Sequence, residues 1–308
     1  MVKMKNEKKS IKRRLKKISH PFTCALFLCL GFFVRMMNWN QTRKAACALG
    51  DFAYFFLRIR RRLAEDNLAR SFPGKTQAEI KQIARQVYRY QVLNMLEMLR
   101  IPLIKSKQDA ANLVEINAAD AFHKTIQQKN GAILVSAHLG SWEVPAICTG
   151  MLLTPVNVII KPLKNTHLDR HLNRWRTMHG NRVIFKDRAL REGLKVLRNG
   201  EVVGVLGDQS NREGNFYVDF LGRKATVFLG PAFLALKAGV PVFTETCKRD
   251  NNGKYLLEIT EVKTSDLSYN KEDIKKLAQR YTRALEEFIL GQPEEWLWLH
   301  DRWKRSPP

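Results

Sequence analysis

A chain of 308 residues, 45% of them hydrophobic, can bury a sizeable core, as one large domain or as a domain with an appendage. Its 53 Lys and Arg against 29 Asp and Glu leave a net charge of +24, which points to anionic partners. The five cysteines, at 24, 29, 47, 148 and 247, show neither CxxC nor His–Cys spacing, which argues against a zinc site or a disulfide scaffold and fits reduced thiols in the cytoplasm.

The charge is uneven. Residues 1–62 hold 16 Lys and Arg against 2 Asp and Glu. Lys3 to Lys17 forms a basic arm, and Pro21 to Val34 is an unbroken run of apolar or small residues. As a helix that run would be roughly 21 Å long, short of the roughly 30 Å hydrocarbon core of a bilayer. A second apolar patch from Ala45 to Leu57 ends in Arg58, Arg60, Arg61 and Arg62. Phe32-Phe33-Val34-Arg35 offers no small-residue cleavage site, so residues 1–62 read as an uncleaved anchor, interfacial or barely spanning, with its basic flank on anionic inner-leaflet lipid. No nucleic-acid motif accompanies the basic residues.

Residues 63–308 read as one α/β domain. Thr76 and Glu79 form a capping box for a helix running to about Arg100, with Ile80, Ile83, Val87, Leu93 and Leu96 on its apolar stripe. A short helix is expected over 118–129. Strands are expected over 132–137, 156–161, 182–185, 202–206, 241–248 and 255–262, and helices over 165–179 and 188–198. Strands separated by helices imply a mostly parallel sheet covered on both faces. The segment 215–230 reads as a loop with Phe216, Phe220, Leu221 and Phe228 among Asp219, Arg223 and Lys224.

The chemistry gathers where the apolar strand at 132–137 ends. His138 follows it directly, then Gly140 and Ser141, with Ser141 placed to cap a helix that carries Glu143 in its first turn. The carboxyl edge of such a sheet is where ligands bind. An imidazole there can take a proton from a hydroxyl at neutral pH, and a carboxylate on its other nitrogen would fix its tautomer. Glu143, five residues on, is the expected partner. Asp208 and Gln209 follow the 202–206 strand and so reach the same edge, while Arg174 and Arg176 lie on the helix after the 156–161 strand. The tail sets Trp296, Trp298 and Trp303 beside cations, as packing or as an interfacial contact.

His138-Leu-Gly-Ser-Trp-Glu143, Asn67-Leu with Ser71-Phe72-Pro73, Arg176 with Gly180, Asp208-Gln209, Phe220-Leu-Gly222 and Arg302-Trp303-Lys304 occur here in one order. In that ordered set the chain resembles the bacterial lipid A biosynthesis acyltransferases of the lysophospholipid acyltransferase superfamily, over roughly residues 45 to 305. The resemblance implies acyl transfer from acyl carrier protein, or sometimes coenzyme A, to a hydroxyl of a membrane glycolipid, with no metal or prosthetic group. It implies an inner-membrane protein with one N-terminal membrane helix and a cytoplasmic catalytic domain, and His138 and Glu143 as a catalytic dyad. Arg176 and Asp208 match the family's further functional Arg and Asp. Gly140 and Ser141 are expected near the oxyanion, and Gln209 and Arg223 as supporting residues. The chain departs from the pattern in its shorter, more broken anchor, and it lacks the Glu-Gly-Thr-Arg motif of glycerolipid acyltransferases.

Overall fold

A computed structural model describes residues 2–210, 216–250 and 252–306, with side chains from residue 19 onward. The helical N-terminal part runs α1 (Val2–Met36), α2 (Trp39–Phe52), a π-helical turn at Ala53–Leu57, α3 (Arg61–Ser71) and α4 (Gln77–Arg100). The α/β part follows as α5 (Lys107–Leu113), β1 (Val114–Ala118), α6 (Asp120–Gln127), β2 (Ala132–Ser136), α7 (Glu143–Leu152), β3 (Val156–Ile160), α8 (Thr166–Thr177), β4 (Arg182–Phe185), α9 (Ala189–Arg198) and β5 (Val202–Leu206). The chain closes with a hairpin of β6 (Tyr217–Phe220) and β7 (Arg223–Thr226), then α10 (Gly230–Ala238), β8 (Val242–Arg249), β9 (Tyr255–Val262) and α11 (Lys271–Gly291).

Seven strands form one sheet in the order β1-β9-β8-β2-β5-β3-β4, parallel throughout except for the β8–β9 pair. The continuous apolar run of β2 is explained by its central place. Ile133 and Val135 face one buried cluster, Ala132 and Leu134 the other, so both faces of the strand are covered. The expected strands at 132–137, 182–185 and 202–206 lie within a residue of their observed ends, and α4 carries the Thr76–Glu79 capping box. Two expectations change. Residues 217–226 form an antiparallel hairpin rather than loop, because Leu221 and Gly222 both adopt left-handed backbone and close a two-residue turn. Part of the expected loop, residues 211–215, lies outside the described residues.

The second change concerns Ser141. It does not cap α7 with its side chain, since the residue before Glu143 is Trp142 in helical conformation and Ser141 Oγ is buried without a partner.

Helix α1 from Ser19 to Met36 is long and apolar enough to cross a bilayer, and it lies along the α/β part. Asn165 Nδ2 donates to His20 O at 3.0 Å, Phe27 stacks on Trp175, and Arg100 Nη1 donates to Val34 O at 2.9 Å. Cys24 and Val34 are buried in that seam, while Phe22, Leu26, Phe33 and Met36 are exposed on the other side of the helix. Helix α2 packs on α4 so closely that a side chain at Gly50 would sit 2.5 Å from Arg89 Cα. Asp51, whose carboxyl is held well below its usual range by Arg85 and Arg89, clamps the two helices.

Candidate active site

Register brings the two halves of the site together. Strands β2 and β5 are parallel neighbours with Ala132 opposite Val202 and Ser136 opposite Leu206. Continuing that pairing two residues past each strand sets His138 beside Asp208. The close approach needs a glycine at 207, where a side chain would meet Val135 Cγ1 at 2.9 Å, and Gly207 N–H bonds Ser136 O at 2.8 Å.

The carboxylate on His138 is therefore that of Asp208, not of Glu143. His138 Nδ1 lies 2.7 Å from Asp208 Oδ1, and its backbone N–H donates to Asp208 Oδ2 at 3.0 Å. Trp296 Nε1–H donates to the same Oδ2 at 2.8 Å. Asp208 is 6% exposed. Burial alone would raise its carboxyl, but the facing imidazole and these N–H donors outweigh it and hold the group well below its usual range. An ionised Asp208 accepts a hydrogen bond from Nδ1–H, so the ring proton stays on Nδ1 and the lone pair sits on Nε2. There the amide of Gln209, an exposed residue, donates at 2.9 Å. The Gln209 amide thus covers the ring nitrogen that carries the lone pair. Trp142 packs its edge on the imidazole with ring centroids 4.8 Å apart.

Glu143 belongs to a second pair. Arg176 Nε donates to its Oε2 at 2.9 Å, Nη2 binds Oε1, and Arg176 Nη1 is steadied by Asn173 Oδ1 at 2.9 Å. Helix α7 starts at Glu143, one turn after the His138 strand end, and points this carboxylate toward α8 rather than back at the imidazole. The spacing of five residues was readable from sequence. Its direction was not.

Gly140 N–H is likewise committed, donating to Glu295 O at 3.0 Å, which withdraws it as an oxyanion donor. Gly140 is left-handed (φ 49°), and a side chain there would lie 3.1 Å from Glu295 Oε2 and 3.4 Å from Arg249 Nη1. Behind the turn Arg249 binds Glu97 at 2.6 Å, Glu295 at 2.7 Å and Asn94 Oδ1 at 2.5 Å, with all three ionic side chains almost fully buried. Arg223 stands apart from this centre. Its guanidinium stacks 3.4 Å over Trp303 and donates to Ser71 Oγ and Asn67 O, and burial lowers it to about 10. It joins the hairpin to α3 and the tail.

The residue whose place at the site the sequence does not reveal is Trp296, which reads as packing or as an interfacial contact. Its only signal was three tryptophans beside cations. The tail reaches the site because Leu139 bridges to Trp296, Asn67 Nδ2 holds Trp298 O at 3.3 Å and Arg302 Nη1 holds Thr226 O at 2.6 Å. Trp296→Phe keeps the ring and removes one hydrogen bond to a carboxylate. Turnover is expected to fall roughly tenfold with both Michaelis constants unchanged, which steady-state kinetics would check.

A second buried carboxylate, Glu245, lies on β8 opposite Ser136, with the Thr149 hydroxyl 3.2 Å away. Burial pushes it up to about 7, and Thr149 offsets only part of that. The folded protein then holds a proton that the unfolded chain releases, so this contribution to stability is full below about pH 4.5 and is lost as pH rises through about 7. Glu245→Gln is expected to remove ~2 kcal/mol of that pH dependence between pH 5 and 8. Thermal unfolding at several pH values checks it.

A mostly parallel, helix-covered sheet thus carries at its carboxyl edge a histidine held by a buried carboxylate, with its other nitrogen covered by the exposed Gln209. Comparison with known proteins names the chemistry. The family described as bacterial lipid A biosynthesis acyltransferase matches residues 11–305, and the chain belongs to that family. It is 25% identical over 295 residues to a lipid A biosynthesis lauroyltransferase of Escherichia coli, covering 94% of each chain. It is 24% identical over 263 residues to a lipid A biosynthesis palmitoleoyltransferase of the same organism, covering 84% of this chain and 83% of the relative. A phosphatidylinositol mannoside acyltransferase of Mycolicibacterium smegmatis is 22% identical over 211 residues, 67% of each chain. The protein is an acyltransferase of the O-acyl class, with a lipid as its acceptor.

Proposed function

We propose that this protein moves a fatty acyl chain from acyl carrier protein, or acyl-coenzyme A, to a hydroxyl of a lipid A-type glycolipid at the cytoplasmic face of the inner membrane. The observation that carries the reading is the His138–Asp208 pair, with Nε2 bonded, among the described residues, by the exposed Gln209. The acceptor hydroxyl displaces Gln209 and gives its proton to Nε2 while its oxygen attacks the thioester carbonyl. Asp208 stabilises the imidazolium that forms. As the tetrahedral intermediate collapses, the C–S bond breaks and the imidazolium returns the proton to the departing thiolate.

Transfer is direct, with no acyl-enzyme. Burial pushes Cys148 up to about 12 and raises Cys247 further, so neither supplies a thiolate at neutral pH. Ser141 Oγ has no hydrogen-bond partner to activate it. Glu143 and Arg176 act as one positioning unit beside the base, and no step requires a metal or prosthetic group. Helix α1 serves as the anchor. Its docked seam runs from His20 to Arg35 along α8 and α4, and Lys164 just before α8 and Arg170 and Arg174 along it are exposed. An upright α1 would carry those charges into hydrocarbon, so the helix lies in the interface with Phe22, Leu26, Phe33 and Met36 toward lipid.

The mycobacterial relatives favour one second reading, the same transfer to a glycosylated phosphoinositide. Mass spectrometry of lipids from cells with and without the gene decides between them. A glycolipid lighter by one acyl chain in the deletion strain supports the proposal, and its class names the acceptor. An unchanged lipid profile, together with no transfer in vitro, would contradict it.

A further inference from the structure

Exposed apolar side chains are concentrated in the first fifth of the chain. Among the described residues 21 large hydrophobics are exposed, and 12 of them lie between Phe22 and Ile59. Six belong to α1. Five of the others, Phe52, Phe55, Phe56, Leu57 and Ile59, crowd into eight residues where α2 unwinds into the π turn, with Phe56 74% and Ile59 60% exposed.

This turn is built rather than loose. Tyr54 is buried inside it, stacked edge-on against Tyr88 at 5.5 Å, covered by Arg61 at 4.1 Å and bonded to Glu65 at 2.8 Å. The Tyr88 hydroxyl holds Ile59 O. Arg58 and Arg60 both adopt left-handed backbone (φ 51° and 57°), which side chains other than glycine rarely do. Arg58 Nε folds back on Phe55 O at 2.8 Å and Arg60 Nη1 on Leu299 O at 2.9 Å, which keeps the guanidiniums at the base of the turn. No acidic residue occurs from Phe52 to Ala64, and Arg58, Arg60 and Arg62 are exposed.

We propose that the Phe52–Ile59 turn is a second membrane-inserting element, separate from α1, that dips its apolar tip into an anionic bilayer while Arg58, Arg60 and Arg62 meet the phosphates. An apolar tip backed by cations matches the layering of an interface, with hydrocarbon beneath a plane of negative charge. The inference rests on the membrane reading of α1 given above and adds a function to the turn. Arg60 holds Leu299, three residues from the Trp296 that fixes Asp208. Insertion therefore sets the bilayer against the tail segment beside the base, where a lipid hydroxyl must arrive.

The test uses the full-length protein with the exposed thiols removed (Cys29→Ser, Cys47→Ser). An environment-sensitive fluorophore is placed in turn on Phe56→Cys, on Leu26→Cys in α1 and on the exposed, distant Leu190→Cys. Vesicles of phosphatidylethanolamine and phosphatidylglycerol carry spin-labelled acyl chains. The probes at 56 and 26 are expected to be quenched severalfold more by the labelled lipid than the probe at 190, and to be shielded from aqueous iodide. Quenching at 26 with iodide access at 56 overturns the proposal and leaves the anchor standing. Iodide access at both overturns the membrane reading as well. Shielding of position 56 without vesicles indicates a protein contact and also overturns it. As a second measurement, Phe56→Ser with Leu57→Ser should lower turnover on vesicle-embedded acceptor at least roughly tenfold and leave turnover on detergent-dispersed acceptor unchanged. Equal losses on both acceptors would count against membrane insertion.

Discussion

Asp208→Asn is expected to leave the fold intact and to lower acyl transfer by roughly 10²–10⁴-fold, a loss comparable with that of His138→Ala. The carboxylate accepts from three N–H groups, on the His138 ring, the His138 backbone and Trp296. An asparagine oxygen can keep some of these bonds, so the site need not collapse. Two things are lost. The amide carries no charge to balance an imidazolium, and its NH₂ can donate to Nδ1, which would move the ring proton to Nε2 and leave no lone pair for the acceptor hydroxyl. Turnover should fall while donor binding persists, because the pair acts on the acceptor's proton. Initial rates with saturating donor, beside circular dichroism of the variant, give the comparison. An Asp208→Asn enzyme within a few-fold of wild type would remove Asp208 from the mechanism.

The second large effect is on stability. Arg249→Met removes the cation from an almost fully buried cluster and leaves Glu97 with the Tyr255 hydroxyl alone and Glu295 without its ion-pair partner. Burial already raises the Glu295 carboxyl, and Arg249 is what offsets it. Taking one partner from such a pair costs about 3–5 kcal/mol, since the remaining charge stays desolvated. The midpoint of thermal unfolding should drop by about 5–15 °C. Converting Glu97 and Glu295 to glutamine as well should recover part of the loss, because no unpaired charge then remains. The cluster supports Gly140 from behind, so the single variant should also loosen the catalytic turn. A melting midpoint equal to wild type would show that the network contributes nothing to the fold.

Much of the α/β part was legible because each signal was local. An apolar run of five or six residues bounded by Asn130-Gly131 or Asn199-Gly200 is too short for a helix and fits a covered strand, and the Thr76–Glu79 box marks a helix start. The edge on which His138, Asp208 and Gln209 gather follows from the same logic, since each directly follows a strand end. What was not legible was which strands are neighbours. The choice between Glu143 and Asp208 as the partner of His138 is made by the pairing of β2 with β5, a contact across 70 residues that spacing cannot report. Local spacing favours Glu143, and the turn into α7 then aims it at Arg176. The role of Trp296 was hidden for the same reason, because it depends on a tail folding back over the sheet edge. Arg223 illustrates the converse. Its place among aromatics in a polar segment reads as a ligand-facing cation, whereas Trp303 stacks on it.

The most direct test of the account is a double-mutant cycle on acyl transfer from acyl carrier protein to the lipid acceptor, comparing His138→Ala, Asp208→Asn and the two together. If Asp208 acts only by preparing the imidazole, the double variant turns over at about the rate of His138→Ala alone, and the two losses do not multiply. A double variant slower by the product of both factors would mean that Asp208 and His138 serve the reaction independently, and would contradict the mechanism.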